Sequence, residues 1–393
     1  MATLTGLALK HCIKSGIANN SKSMFDRENH RLLSISLLCS GRSATTAKCL
    51  ASLDRLRKAV PSELIIVDTG CDASSRGIIE NYADKIIDFT WCNDFSKARN
   101  AGLKECSGQW FMFLDDDEWF EDTSELENFF LREQADYDLA TYIQRNYDNH
   151  EGTSYNDDPV ARIIRITPQL EFIYSIHEVF NIIPDKMKYV NSYVHHYGYV
   201  FDSPEEKLAH SMRNITLLEQ EVKDNPTNLK HALQLAKEYE IIDNWQQCYD
   251  LSLEYIEVAK RTDAVHKFCT GSFYVNVIDS LAALDRKDEI ISTAMEYIQK
   301  DLDPMSLGCI YGQLTAAYLN QGDSAKVVEY TNKYLECYML WKNKDSSVTA
   351  FITSDTAEGF SKKNATLILY NGTMAAIQLG DMQTAMHFSG FVI

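Results

Sequence analysis

The chain has 393 residues, of which 45% are hydrophobic and 24% charged, a composition that predicts an ordinary globular protein, with two domains as the prior. Its formal net charge of −18 argues against a nucleic-acid backbone or an anionic membrane as the main partner. No run approaches about 18 apolar residues, so the sequence predicts no transmembrane helix.

The N-terminal residues 1–30 lack the pattern of a folded element. The first 25 residues contain no acid and three lysines, which favours a loosely ordered arm over a targeting peptide. The ten cysteines of the chain are scattered without a C-x-x-C pair, so no zinc site or thioredoxin-like motif is expected. A reducing cytoplasm is the natural setting, and attachment to the periphery of a membrane stays open.

From Leu32 onward, short apolar runs alternate with amphipathic segments. The apolar runs predict buried strands at 32–41, 63–70, 84–89 and 108–117. The amphipathic segments predict helices at 43–60, capped by Ser43 or Thr45, at 74–83, and at 93–106, capped by Asn93 or Asp94. Strands that are apolar on both faces and separated by helices predict an α/β domain with a mostly parallel, Rossmann-like sheet.

The pattern changes after residue 138 and again after residue 201. Strand-like runs between 138 and 200 predict a mixed or antiparallel extension of the sheet. Ser203, Pro204 and Glu206 then form the signature of a helix start, with Ser203 as cap and Glu206 as its capping-box partner. The segments 229–256, 308–335 and 369–388 repeat a helix–turn–helix scheme, with Gly322 at one turn. We therefore expect an arm at 1–30, an α/β domain at 31–201 and an all-α, tetratricopeptide-like helical array at 202–393.

Four polar clusters follow the predicted strand ends, at 40–42, 68–70, 91–94 and 115–117. In an open α/β sheet, ligands bind outside the carboxyl ends of the strands, so these clusters should converge on one edge.

The cluster of three aspartates, Asp115 to Asp117, allows two interpretations. It is either the solvated start of a helix or a cage for a divalent cation. Asp115 and Asp117 can face one point if the segment is extended, and two carboxylates that close need a positive charge between them. The chain contains no P-loop and no G-x-G-x-x-G motif, so a cation is one way to hold a phosphate here.

The segments "ELIIVDTG", "WCNDFSKARNAGLKECSGQWFMFLDDDEWF", "SIHEVF" and "HHYGY" together resemble glycosyltransferase family 2. The resemblance covers roughly residues 31 to 200. Within the family, the chain resembles members that have a C-terminal tetratricopeptide-like region, which include the S-glycosyltransferases of bacteriocin peptides. This resemblance implies the nucleotide-sugar-binding GT-A fold and a bacterial enzyme.

The resemblance also implies roles for individual residues. Asp68 contacts uridine, whereas Asp94, Arg99 and Asn100 line the nucleotide and diphosphate side. Asp115 and Asp117 form the DxD motif, with Asp117 the metal ligand proper, Asp115 nearer the ribose and donor sugar, and Asp116 within the same donor-binding set. His196 completes the metal site, which holds Mn²⁺ or Mg²⁺. The family continues with S-T-D after the VDTG motif, whereas this chain reads Cys71-Asp72-Ala73, which puts the contacts of that turn in doubt.

The implied reaction is a metal-dependent, inverting transfer from a UDP-sugar, in which a base deprotonates the acceptor. Glu178 is the first candidate for this base and His177 the second. The acceptor is a glycan, a lipid-linked precursor or a peptide, and the helical array favours a peptide or protein partner. A homodimer stays open. Two alternatives remain, namely an interaction scaffold with a degenerate transferase domain and a nucleotidyltransferase with the same paired aspartates.

Overall fold

The computed structural model describes residues 31–261, 263–349, 351 and 353–392, so the predicted arm at 1–30 lies outside the described residues. The described chain divides into two compact units, residues 31–207 and residues 208–392. None of the helices within these ranges combines the length and the apolar character needed to cross a membrane.

The first unit is built on a mixed sheet of eight strands in the order β3-β2-β1-β4-β7-β6-β10-β5, with a separate pair β8-β9. The strands are β1 Leu33–Cys39, β2 Ser62–Asp68, β3 Lys85–Asp88, β4 Trp110–Asp115, β5 Glu118–Phe120, β6 Leu139–Tyr147, β7 Tyr155–Arg165, β8 Phe172–Ile173, β9 Val179–Phe180 and β10 Met187–His196.

The sheet has a parallel half and a mixed half. Strands β3, β2, β1 and β4 run parallel. Strand β7 is antiparallel to both β4 and β6, β10 is parallel to β6, and β5 lies antiparallel to β10 at the edge. All seven residues of β1 are buried, as expected for a strand covered on both faces. The predicted Rossmann-like sheet with a mixed extension is confirmed.

The helices of the first unit are short. They are α1 Ser43–Ser52, α2 Asp54–Ala59, α3 Ala73–Glu80, α4 Phe95–Leu103 and α5 Ser124–Asn128, and α5 continues into a π-helical turn at Phe129–Glu133 and a 3-10 turn at Gln134–Asp136.

The single helix predicted at 43–60 is wrong, because α1 and α2 are separated at Leu53. The Ser52 hydroxyl donates to the carbonyl oxygen of Cys49 at 2.7 Å, the acceptor that a continuing helix would offer to the Leu53 N–H. That N–H turns to Leu50 at 3.2 Å instead. The predicted caps Ser43 and Thr45 are also wrong, since α1 begins at Ser43 after Arg42 and has no side-chain cap.

The second unit is entirely helical apart from turns. Its helices are α6 Pro204–Asp224, α7 Leu229–Ile241, α8 Trp245–Arg261, α9 Thr270–Ala283, α10 Lys287–Tyr297, α11 Pro304–Gln321, α12 Ser324–Lys342, α13 Ser346–Thr349, α14 Ser354–Gly359, α15 Lys362–Gln378 and α16 Met382–Ser389, with a 3-10 turn at Lys267–Cys269. The predicted helical array is thereby confirmed.

Ser203 and Gly322 act at helix ends as the sequence predicts, but the predicted capping box of Ser203 and Glu206 forms only in part. The Ser203 hydroxyl accepts the Glu206 N–H at 3.1 Å at the start of α6, whereas the Glu206 carboxylate reaches back to the N–H of Asp202 rather than to that of Ser203. Gly322 ends α11 with φ of 74°, a left-handed conformation that glycine adopts without steric cost.

Candidate active site at the strand ends

Three parallel strands end side by side in the first unit. Cys39 pairs with Asp68 and Leu38 with Asp115, so β1, β2 and β4 finish at the same edge of the sheet. The segments that follow β1 and β4 are joined there, because the Ser40 N–H donates to Asp116 at 3.0 Å. This edge is where open α/β sheets bind their ligands, and the candidate site is built on it.

The three consecutive aspartates contact different partners. Strand β4 ends at Asp115 and the chain turns at once, so the alternation that would aim Asp115 and Asp117 at one point does not extend past the strand. Asp116 is buried and accepts hydrogen bonds from Ser40 N–H and, at 3.5 Å, from the Thr46 hydroxyl. Burial raises the pKa of Asp116, and the carboxylates of its two neighbours add to that effect. Asp116 therefore anchors the segment after β1 to the end of β4.

Asp115 is held by two arginines. Arg99 donates to its Oδ1, and Arg162 donates twice to its Oδ2, at 3.1 Å each. Both guanidinium groups lie over the ring of Phe113, 4.5 and 4.4 Å from its centre. Burial raises the pKa of Asp115, but the two arginines outweigh it and hold that pKa well below its usual range. Asp115 is therefore an ionised carboxylate at the floor of the site.

Arg99 links this floor to the predicted acceptor side. Its Nε donates to Glu178 Oε1 at 2.9 Å while another nitrogen holds Asp115. The arginine is only 3% exposed, and it also donates to the carbonyl of Leu114 at 3.2 Å. The family resemblance implies that Arg99 lines the nucleotide and diphosphate side, whereas in the structure its nitrogens face protein oxygens. Its direct contact with a ligand stays a prediction.

Glu118 is a member of the site that sequence reasoning missed. It is fully buried, and its oxygens accept from Arg162 at 3.2 Å, from the Tyr142 hydroxyl at 3.2 Å and from the Gln144 amide. Burial raises the pKa of Glu118, although Arg162 opposes the shift. Glu178, Arg99, Asp115, Arg162 and Glu118 thus form one row of alternating charges.

Asp117 and His196 face each other across the mouth of the site. His196 Nε2 lies 3.9 Å from Asp117 Oδ1, and its Nδ1 lies 2.6 Å from the side-chain oxygen of Asn146. If Nδ1 carries the proton, as this contact favours, Nε2 presents a lone pair toward Asp117. A Cβ on Gly198 would lie 2.3 Å from His196 Nε2, so only glycine at this position leaves enough space for the imidazole ring.

His195 turns to the other face of β10, because successive residues of a strand point to opposite faces. Its ring stacks on Trp119 with centroids 5.6 Å apart, and its Nδ1 contacts the Tyr147 hydroxyl at 2.8 Å. Burial lowers the pKa of His195. It belongs to an aromatic stack and not to the mouth of the site.

A divalent cation fits the Asp117–His196 pair. No group of three or more His, Cys, Asp or Glu side chains poised around a metal occurs among the residues that the structure describes. A complete protein cage is not needed for Mg²⁺ or Mn²⁺, which commonly bind through one or two protein ligands and substrate phosphates. A carboxylate oxygen and an imidazole nitrogen 3.9 Å apart can both reach one ion with a small closing movement. Arg42 now pairs with the other oxygen of Asp117 and would have to move.

Asp68 and Asp94, predicted on the nucleotide side, already have partners. Asp68 Oδ1 accepts the N–H groups of Gly70 and Cys71 at 3.0 and 2.8 Å, and its Oδ2 accepts from Arg76. Burial raises the pKa of Asp68, but these hydrogen bonds outweigh it and lower that pKa. Asp94 caps α4 by accepting the Lys97 N–H at 2.9 Å, which is one of the two caps the sequence predicts.

Asn100 is also hydrogen-bonded within the protein. Its amide nitrogen donates to the carbonyl of Phe172 at 2.9 Å and its oxygen accepts the N–H of the same residue at 2.9 Å. These two hydrogen bonds join β8 to α4. Asp72, the residue that departs from the family motif, caps α3 by accepting the Ser75 N–H at 2.7 Å. The nucleotide contacts of Asp68, Asp94 and Asn100 stay predictions.

The segment before Glu178 is held in an unusual backbone conformation. Tyr174 and His177 have φ of 75° and 51°, in the left-handed region that residues other than glycine rarely adopt. Such strain persists only where the surroundings impose it, and it is common at functional sites. The Phe95 N–H donates to the carbonyl of Ser175 at 2.8 Å, so the start of α4 helps to fix this segment.

Residues 34–190 match the family described as "Glycosyl transferase family 2". The first unit belongs to this family. The match begins one residue inside β1, covers β2 to β9 and only the start of β10, and includes Asp68, the three aspartates and Glu178. It ends before His195 and His196.

Two curated relatives are similar over part of the chain. A TPR repeat-containing protein of Synechococcus elongatus is 26% identical over 153 residues, 37% of this chain and 35% of the relative. The prophage-derived glycosyltransferase SunS of Bacillus subtilis is 24% identical over 268 residues, 63% of this chain and 60% of the relative. The chain therefore spans less than two thirds of the length of either relative.

Among solved structures, TarS 1-349 of S. aureus is similar at a TM-score of 0.36 and 11% identity, over 80% of this chain and 92% of that one. MamA is similar at a TM-score of 0.27 and 17% identity, over 48% of this chain and 92% of that one. Scores this low carry no inference about the reaction.

In the first unit, the sequence motifs assign roles to Asp115, Asp117 and Arg99 but none to Glu118, Arg42 or Arg162. Glu118 lies inside the quoted run that ends in "DDDEWF", Arg42 lies in the polar cluster at 40–42, and Arg162 lies outside both. Arg162 is part-buried in the structure and donates twice to Asp115. The available signal was the excess of acids at one strand end, which required basic side chains from elsewhere in the chain.

Proposed function

We propose that this protein is an inverting glycosyltransferase that takes a sugar from a UDP-sugar with the help of Mn²⁺ or Mg²⁺. The observation that carries the proposal is the joining of two half-sites by one buried arginine. Arg99 contacts Asp115 beside the Asp117–His196 pair on one side and Glu178 on the other. A donor site and an acceptor base are thereby held in fixed relation.

Asp117 and His196 are the residues that would hold the cation. A cation bound there supplies Lewis-acid stabilisation of the diphosphate as it leaves. Asp115, ionised between Arg99 and Arg162, adds a negative charge at the floor and an oxygen for the ribose or donor sugar. The Asn146 contact to Nδ1 sets the orientation of the His196 ring, a supporting role that ligand histidines in proteins commonly require.

Arg42 is suited to the diphosphate itself. Its side chain is half exposed, and in the structure it forms an ion pair with Asp117. When Asp117 turns to a cation, this arginine is released beside the position of the phosphates. A planar guanidinium donates two parallel hydrogen bonds to phosphate oxygens, so Arg42 can exchange one anionic partner for another.

Glu178 acts as the base in this proposal. The acceptor oxygen or sulfur loses its proton to the Glu178 carboxylate as it forms the new bond to the sugar carbon, and the bond from that carbon to the diphosphate breaks. One displacement of this kind inverts the anomeric centre. The ion pair with Arg99 keeps Glu178 in one orientation, which limits the freedom lost on reaching the transition state.

The test is a screen of UDP- and GDP-sugars for Mn²⁺-dependent hydrolysis by the full chain. Release of UDP from at least one UDP-sugar supports the proposal, and Asp117→Asn should remove that release. Release of pyrophosphate from UTP and a sugar 1-phosphate, with no UDP released from any UDP-sugar, would identify a nucleotidyltransferase instead. No binding of UDP by calorimetry, with or without Mn²⁺, would favour the interaction scaffold.

A further inference from the structure

A polar row crosses three neighbouring strands beside the mouth of the site. Strands β7, β6 and β10 are adjacent in the sheet, and they carry Asp158, Asn146 and His196 respectively. Asn146 pairs with His196 in register, and Asp158 pairs with Gln144, which lies two residues before Asn146 and points to the same face. The side chains of Asp158, Asn146 and His196 therefore lie on one face of the sheet.

The amide of Asn146 links the two ends of this row. Its Nδ2 donates to Asp158 Oδ2 at 3.1 Å, and its Oδ1 lies 2.6 Å from His196 Nδ1. Asp158 is partly buried, and the His196 side chain is 12% exposed. Burial strengthens such hydrogen bonds because little water competes for them. A carboxylate, an amide and an imidazole thus form one continuous hydrogen-bonded chain.

Each link of this chain restricts the next one. An ionised carboxylate only accepts hydrogen bonds, so Asp158 requires the NH₂ side of the Asn146 amide. The amide oxygen then faces His196, and because that oxygen also only accepts, Nδ1 must carry the imidazole proton. Nε2 of the neutral ring is then unprotonated, and it lies 3.9 Å from Asp117 Oδ1, at the proposed cation position. A histidine without such a partner favours the opposite tautomer in water, with its proton on Nε2.

We propose that Asp158 is a positioning residue: it holds the Asn146 amide in one orientation, which keeps the His196 proton on Nδ1 and leaves Nε2 open to the cation. The proposal rests on the proposed function and extends it to a residue outside the family motifs. Metal-binding histidines commonly need a partner for the ring nitrogen that does not bind the metal, and here the support is relayed through an amide. Asp158 acts on the cation only through the tautomer of His196.

The preceding residue, Asp157, supplies a matched control. Its side chain points to the opposite face of β7, where Arg145 donates to its two carboxylate oxygens at 2.8 and 2.9 Å. Asp157→Asn and Asp158→Asn remove the same charge from adjacent positions of one strand. Only Asp158→Asn should affect His196, because the Asp157 carboxylate is bound to Arg145 instead of Asn146.

The first test is NMR of the full chain labelled with ¹⁵N at histidine, without metal or nucleotide, at pH 8, which lies above the usual pKa range of carboxylates and histidines. Long-range ¹H–¹⁵N correlations show which ring nitrogen carries the proton, and His196→Gln identifies the His196 signals. We expect the Nδ1–H form in the wild type and in Asp157→Asn. The amide introduced by Asp158→Asn can donate to the Asn146 oxygen, so the Asn146 amide can turn around, and we expect the Nε2–H form to appear.

The second test combines a rescue with a binding measurement. The double variant Asp158→Asn with Asn146→Asp exchanges the two groups and should restore the Nδ1–H form, because the new carboxylate accepts from both of its neighbours. Calorimetry with UDP present should show Mn²⁺ affinity reduced roughly 10–100-fold in Asp158→Asn and less than about twofold in Asp157→Asn. If Asp158→Asn does not fold, Asp158→Ser replaces it with the same expected results, since a hydroxyl can also donate to the Asn146 oxygen.

Three results would overturn the proposal. These are an Nε2–H form in the wild type, an unchanged His196 tautomer in Asp158→Asn, and, where the wild type binds Mn²⁺, equal Mn²⁺ affinity of Asp157→Asn and Asp158→Asn. If the tautomers behave as expected but the wild type binds no Mn²⁺, the proposed function fails, whereas the control of His196 by Asp158 is still supported.

Discussion

The sheet unit and the helical unit surround their polar side chains in different ways. At the strand ends, Asp115, Arg99, Arg162 and Glu118 satisfy one another in a row of ion pairs. In the helical unit, the side chains of His231 and His266 each lie 3.2 Å from that of Asn228. Ligand binding at the strand ends is therefore an exchange, in which a cation or phosphate replaces an arginine or a carboxylate. The helical unit instead holds histidines whose burial governs its response to acid.

The largest expected effect tests the exchange at Asp117. Asp117→Asn removes the charge that would hold the cation, and the stabilisation of the leaving group is worth several kcal/mol. We expect turnover to fall on the order of 10³-fold while the fold is kept. The measurement is UDP release under saturating donor and Mn²⁺. Asp122→Asn, at a surface acid paired with Arg55, is the control and should retain turnover. Wild-type turnover in Asp117→Asn would discard the cation site.

A second prediction concerns the acceptor side of the same row. Glu178→Gln keeps the shape of the side chain and its contact with Arg99 but removes the base. We expect kcat to fall roughly 10²-fold, within the range for general-base catalysis, with UDP affinity changed less than about twofold. Steady-state kinetics together with calorimetry separate the two effects. Unchanged kcat would move the base to another residue, with His177 the next to test.

Much of this site follows from sequence, and the remainder depends on contacts that sequence spacing does not encode. The run of apolar residues into Asp115 predicts a strand end, and the resemblance to the family points to His196. The inward turn of Asp116 depends on Thr46, which is 70 residues away in sequence. The burial of Glu118 depends on Gln144, which is 26 residues away. The break at Leu53 was missed because a serine hydroxyl competes for a helix carbonyl.

A third prediction examines how tightly His196 is placed. Gly198→Ala puts a Cβ within 2.3 Å of Nε2 and forces the ring away from Asp117. Loss of ligand orientation typically reduces metal affinity by roughly 10–100-fold, and we expect this loss in Mn²⁺ binding measured with UDP present. Gly77→Ala is the control, because its Cβ meets open space inside α3. Equal Mn²⁺ affinity in both variants would remove His196 from the site.

The last prediction compares how the stability of the two units changes as the pH is lowered. Burial lowers the pKa of both His231 and His266 to about 4, and Lys230 nearby opposes their protonation. Between pH 6.5 and about 4 the unfolded chain binds more protons than the folded one, so stability falls as the pH is lowered through that window.

We expect the loss to reach roughly 2–4 kcal/mol near pH 4. Thermal unfolding of the wild type between pH 7 and 4 measures it. His266→Asn, which keeps a residue tolerant of the left-handed backbone, should flatten the dependence, whereas a change at the exposed His150 should leave it unaltered. The carboxylate row of the first unit acts differently, because the lowered pKa of Asp115 gives stability that is fully present above about pH 4 and is lost only below it. A wild type that is equally stable at pH 7 and 4.5 would contradict the assignment.

The most direct measurement for the whole account is calorimetry of UDP binding to the wild type and to Asp117→Asn, each with and without Mn²⁺. The account predicts that Mn²⁺ strengthens UDP binding to the wild type by at least about tenfold and has no effect on the variant. If Mn²⁺ strengthens binding equally in both proteins, or in neither, Asp117 and His196 do not hold a cation against the diphosphate.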